Sequence, residues 1–83
     1  MKHITVPSFW QHYHRLPKEV QDLADKNYAM LKADPRHASL HFKKIRGVWS
    51  VRIGSHYRAL AFEQPGELVW FWIGPHSEYD QRI

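Results

Sequence analysis

The spacing of hydrophobic positions changes near residue 40 and divides the chain into a helical part and a strand part. Val20, Leu23, Ala24, Tyr28 and Leu31 recur three or four residues apart, as on one face of a helix. Pro17 suits the first turn of that helix, and Glu19 and Asp22 favour its positive end. Asp34-Pro35 stops it, because a residue before proline is pushed out of helical angles. Phe9, Trp10, Tyr13 and Leu16 make a shorter stripe ahead of it. Ser8-Phe9-Trp10-Gln11 has the spacing of a capping box, in which both polar side chains satisfy free backbone donors, and predicts a helix start there. The two helices should form a hairpin. His3-Ile4-Thr5-Val6 alternates polar and β-branched residues and predicts a short first strand that Pro7 closes.

Beyond residue 40 the pattern predicts strands over 40–46, 48–53, 57–63 and 68–73, divided by Gly47, Gly54-Ser55-His56 and Gln64-Pro65-Gly66. The last run, Leu68-Val69-Trp70-Phe71-Trp72-Ile73, has no polar residue and reads as a strand buried on both sides. After Gly74-Pro75, residues 76–83 should form a short helix or turn laid back across the sheet. The expected class is α+β: an N-terminal helix hairpin on one face of an antiparallel sheet of three to four strands, in a single domain over 1–83.

The hairpin around Gly54 decides which arginines share a face. A two-residue loop would pair Val51 with Arg58, setting charge against core. A three-residue loop, Gly54 to His56, pairs Ile53 with Tyr57, Arg52 with Arg58 and Val51 with Ala59. Trp49, Val51, Ile53, Tyr57, Ala59 and Ala61 then share the face beneath the helices, where small alanines admit close approach. Arg52 and Arg58 stand side by side on the other face. Like charges paired across a sheet repel, so an anion is expected between them.

Composition sharpens this. Twelve Lys and Arg against eight Asp and Glu give +4, and a pI near 9.6 favours an anionic partner such as nucleic acid. No cysteine is present, which removes disulfides and thiolate metal sites. Among the seven histidines no third ligand falls at a recognisable spacing, so neither metal nor cofactor is expected. No stretch reaches the roughly 20 apolar residues of a membrane span, and no export signal is evident, so a cytoplasmic address is expected.

His76 and Tyr79 are three apart and would project from one side of a C-terminal helix, where they could close over the arginines. Metal-free RNA cleavage requires a 2′-hydroxyl to be deprotonated, an anionic phosphorane to be stabilised and the leaving 5′-oxygen to be protonated. Two arginines, a histidine and a tyrosine supply those functions. Lys43, Lys44 and Arg46 are candidate phosphate contacts, though such a basic edge also discourages strand aggregation. Taken singly, Arg52 and Arg58 would read as solvated strand residues and His76 as a surface histidine.

The run Leu40-His41-Phe42-Lys43-Lys44-Ile45, then Trp49-Ser50-Val51-Arg52-Ile53-Gly54, Tyr57-Arg58-Ala59-Leu60 and Trp72-Ile73-Gly74-Pro75-His76-Ser77-Glu78-Tyr79-Asp80, resembles the RelE/ParE toxin superfamily. The resemblance implies a RelE-like fold with a twisted antiparallel sheet. It also implies a toxin of a type II toxin–antitoxin system that cuts mRNA in the ribosomal A site as an endoribonuclease. On that analogy Arg58 clamps the scissile phosphate, Arg52 assists, His76 is the acid or base and Tyr79 completes the set. The implied partners are a cognate antitoxin, mRNA and the ribosome, with operator DNA reached only through the antitoxin complex. Two alternatives remain open: a ParE-like toxin that binds DNA gyrase without cutting RNA, and an inactive interaction domain.

Overall fold

The structure, a computed structural model, describes residues 1–79 together with 81 and 82. Pro7 ends one element and begins the next: it follows β1 (Lys2–Thr5) and, lacking an N–H, fits the first turn of α1 (Pro7–Tyr13). Extended Val6 takes the N-cap position with no side-chain cap bond, so the capping box expected at Ser8 does not form. Ser8 instead lies inside the first turn and its Oγ donates to the Phe71 carbonyl at 3.1 Å.

The second helix, α2 (Lys18–Ala33), starts one residue after Pro17, whose carbonyl accepts the Val20 and Gln21 N–H groups at 2.9 and 3.0 Å. It ends at Asp34 as expected, and Val20, Ala24 and Leu31 are buried. Tyr28 shares their stripe but stays 44% exposed, edge-on to His3 with the Lys32 ammonium over its face. Gln21 Nε2 donates to the Tyr13 and Leu16 carbonyls and Tyr13 Oη to Asp25, which ties α1 to α2.

Strands β2 (Lys43–Ile45), β3 (Val48–Ile53), β4 (Tyr57–Gln64) and β5 (Glu67–Pro75) follow, and the sheet order is β1-β5-β4-β3-β2. The sheet is therefore five-stranded and mixed, where three to four antiparallel strands were expected. The difference is β1, which pairs parallel to β5 with Lys2 opposite Glu67 and Thr5 opposite Trp70. The strand expected over 40–46 is also shorter. Ala38–Leu40 is a 3-10 turn that buries Leu40 completely, and left-handed His41 separates it from β2.

The apolar run in β5 serves two sides at once. Leu60 pairs with Trp72 but Ala61 with Trp70, leaving Phe71 as the extra residue of a bulge. Leu68, Trp70 and Ile73 join Leu16, Val20, Leu31, Val51 and Ile53 under the helices. Trp72 and Phe71 pack with Leu60 and Tyr79 on the other side. Because β1 covers only the first half of β5, α1 takes up the rest of that edge through the Ser8 bond to Phe71. The chain then closes with α3 (His76–Tyr79). Among the described residues no helix is long and apolar enough to cross a membrane.

Candidate active site

The β3–β4 hairpin has the three-residue loop, and Arg52 pairs directly with Arg58. Gly54 makes that loop possible. Its φ of +61° suits glycine, and a Cβ there would lie 2.8 Å from Leu23 Cδ2 of α2. Val51, Ile53, Ala59 and Ala61 point to the helices, so both arginines stand on the opposite face. Arg52 Nε donates to the Gly54 carbonyl and Arg58 Nη1 to the Tyr57 carbonyl, each at 2.8 Å. Among the described residues neither guanidinium forms an ion pair. Partial burial, then the charge of Arg52, holds the Arg58 pKa below its ordinary value, with Tyr79 acting the other way.

Opposite Arg58 on β5 is Gly74, and a Cβ at that position would meet the Trp72 ring at 2.6 Å. The glycine leaves room for the indole, so the Trp72 ring fills the space above Gly74 beside Arg58. Tyr79 is 6% exposed and packs on Leu60 and Trp72, which docks α3 on the arginine-bearing side. The exposed His76 ring stacks on Tyr79 with centroids 5.5 Å apart and planes 24° apart. The His76 N–H donates to the His56 carbonyl at 2.6 Å, joining α3 to the loop between the two arginine strands. Arg52, Arg58, His76 and Tyr79 thus come together from three elements.

The basic candidates do not form one patch. Lys43 pairs with Ser50, two residues from Arg52 on the same face. Lys44 pairs with Trp49 and so faces the helix side, its Nζ 3.6 Å from Glu63 Oε1. Trp49 Nε1 donates to the same oxygen at 2.8 Å, and that bond, then Lys44, holds the Glu63 carboxyl below its ordinary pKa. Arg46 occupies the β2–β3 turn with φ of +52°. Among the described residues no three His, Cys, Asp or Glu side chains gather where they could share a metal ion.

The sequence profile of the ParE-like toxin domain matches residues 18–81, from the start of α2 past the end of α3. The chain belongs to the ParE-like toxin domain family. No curated protein matches this toxin domain in sequence. Its fold recurs in solved structures. A chain of the RelBE2 toxin–antitoxin complex of Mycobacterium tuberculosis superposes with a TM-score of 0.71 at 18% identity, over 90% of this chain and 96% of that one. The YoeB/ParE toxin of Agrobacterium tumefaciens gives 0.68 at 20% identity, over 92% and 99%. A chain of the RelB–RelE complex of Methanococcus jannaschii gives 0.74 at 11% identity, over 96% and 98%. At such identities the likeness concerns the fold. Within this ParE-like domain, sequence reasoning missed two contributors to the site: Gly74, which makes room for the Trp72 ring, and the His56 carbonyl, as the anchor of α3. A glycine two residues after a tryptophan in a buried strand hints at the first, and nothing local marks the second.

Proposed function

We propose that this chain is the toxin of a toxin–antitoxin pair and a metal-independent endoribonuclease that cuts mRNA on the ribosome. The observation that carries this reading is the convergence of a cross-strand arginine pair with a histidine stacked on a docked tyrosine. Arg58 and Arg52 have no carboxylate partner among the described residues, so an anionic phosphate would relieve their repulsion. As the 2′-oxygen attacks phosphorus, negative charge grows on the non-bridging oxygens of the phosphorane, and the two guanidinium groups stabilise it. His76, exposed beside the arginines, moves the proton. Tyr79 serves as the platform that orients the imidazole, because its own ring is largely buried. Lys43 extends the phosphate contacts along the same face, while Lys44 and Arg46 touch RNA or ribosome at the sheet edge.

A toxin of this kind works where ribosomes are, in the cytoplasm, and needs an antitoxin that covers the basic face. The presence of toxin–antitoxin complexes among the structures it superposes on supports such a partner. Operator DNA would be reached only through that complex. The family match favours a second reading, a ParE-like toxin that binds gyrase without cutting RNA. Mapping mRNA ends after induced expression, beside a gyrase supercoiling assay, separates the two. New ends inside codons with supercoiling unaffected are expected, and the reverse result would establish the gyrase reading.

A further inference from the structure

Across β5 from Arg58, a second set of basic side chains converges on the Trp72 ring. His12, near the end of α1, lies edge-on to the indole at 6.3 Å, and the Arg82 guanidinium lies over it at 5.0 Å. Arg15, one turn beyond His12, is close enough for its charge to act on that imidazole. Among the described residues the acid nearby is Glu78, 3.8 Å from Arg82. Burial, then Arg82, then Arg15 holds the His12 pKa down, while Glu78 pushes it up. Cations at a helix C-terminus commonly serve the helix dipole. That account falls short here, since α1 has seven residues and Arg82 comes from the other end of the chain.

Gathering the Arg15 and Arg82 charges beside the one carboxylate described there is costly unless an anion is held, and the His12 imidazole, held toward its neutral form, offers such an anion an N–H donor. Trp72 is 1% exposed, so it is a floor rather than a stacking platform. Between this cluster and Arg58 lie Gly74, which has no side chain of its own, and the largely buried Tyr79 ring packed on Trp72, over which a bound backbone would pass. Neighbouring strands are roughly 4.8 Å apart, so a short extended stretch of nucleic acid crossing β4 and β5 reaches both sets. Building on the nuclease reading, we infer that His12, Arg15 and Arg82 form a second phosphate subsite, which holds the single-stranded RNA backbone flanking the bond to be cut.

The test uses the full chain and a fluorescein-labelled single-stranded RNA, with binding followed by anisotropy across a salt series. Arg82→Gln should flatten the log–log salt slope by about 0.7, equivalent to about fivefold weaker binding at about 0.1 M salt. Glu78→Gln leaves the cations in place and should tighten binding, which guards against a fold defect being read as a lost contact. In cleavage assays both variants should move KM and leave kcat unchanged. Parental affinity and salt slope in Arg82→Gln overturn the subsite, as does a loss seen only against an acidic antitoxin peptide. RNA that binds through both cationic sets but is never cut would instead sink the nuclease reading alone.

Discussion

Arg58 and His76 differ in what their removal should do. On the nuclease reading, truncating Arg58 to alanine withdraws a positioned donor from the developing charge, which typically costs about 3 kcal/mol, a hundredfold or more in rate. On the same reading His76→Ala removes proton transfer, which usually costs about a hundredfold to ten-thousandfold. Single-turnover cleavage and thermal melts on the same samples should show activity collapsing while stability moves by less than about 1 kcal/mol. Parental cleavage by His76→Ala would refute the mechanism. Tyr79 should behave in the opposite way. Its ring packs on Leu60 and Trp72, so Tyr79→Ala should destabilise by about 3 to 5 kcal/mol. Tyr79→Phe should keep the stack under His76 and most of the activity; loss of cleavage in a well-folded Tyr79→Phe would give the hydroxyl a chemical role. The pairing of Arg52 with Arg58 was legible because alternation across a strand has a fixed period of two. The division of Lys43 from Lys44 follows from that same period, yet a run of charges read as one patch conceals it.

Among the elements, the β3–β4 hairpin is the one that places the arginine pair. Gly54→Ala would strain a left-handed φ and press a methyl group on Leu23, so a loss of at least about 1 kcal/mol in urea denaturation is expected. Leu23→Ala in the same chain relieves the contact but not the φ, and should recover only part of that loss. Full recovery would show that crowding alone requires the glycine. Elements with local signals, such as α2, the hairpin and α3, were readable from spacing and turn residues. Elements decided by distant partners were not. Ser8 has the spacing of a cap, but Pro7 starts the helix one residue earlier and Ser8 turns to Phe71. The apolar run in β5 gave burial on both sides, while the bulge at Phe71 depends on pairing with β4 and left no mark of its own.

Across the whole molecule, the sheet separates a helix-covered side from a cationic one, and β1 joins the start of the chain to its last strand. His3 sits at that junction: Trp70 Nε1 donates to His3 Nδ1 at 3.0 Å, which requires a neutral ring. Burial first, then the N-terminal charge and Lys32, lowers its pKa. A group depressed in the folded state contributes stability above its unfolded value of about 6.5, and that contribution is lost as pH falls toward the folded value. His12 is shifted in the same direction. The melting temperature should therefore drop between about pH 7 and pH 5, and His3→Gln should flatten that drop; an unchanged slope would dismiss His3 as the cause. The parallel pairing of β1 was the part of the fold least visible in the sequence, since its partner lies more than sixty residues away. The same pairing sets an order in time. Ribosomes make roughly 5 to 20 residues each second, so Lys2–Thr5 emerges several seconds before Glu67–Trp70 exists to receive it. Throughout that interval the growing polypeptide has neither its closing strand nor the histidine that follows it, and on the nuclease reading it would be incapable of cutting the message from which it is being translated.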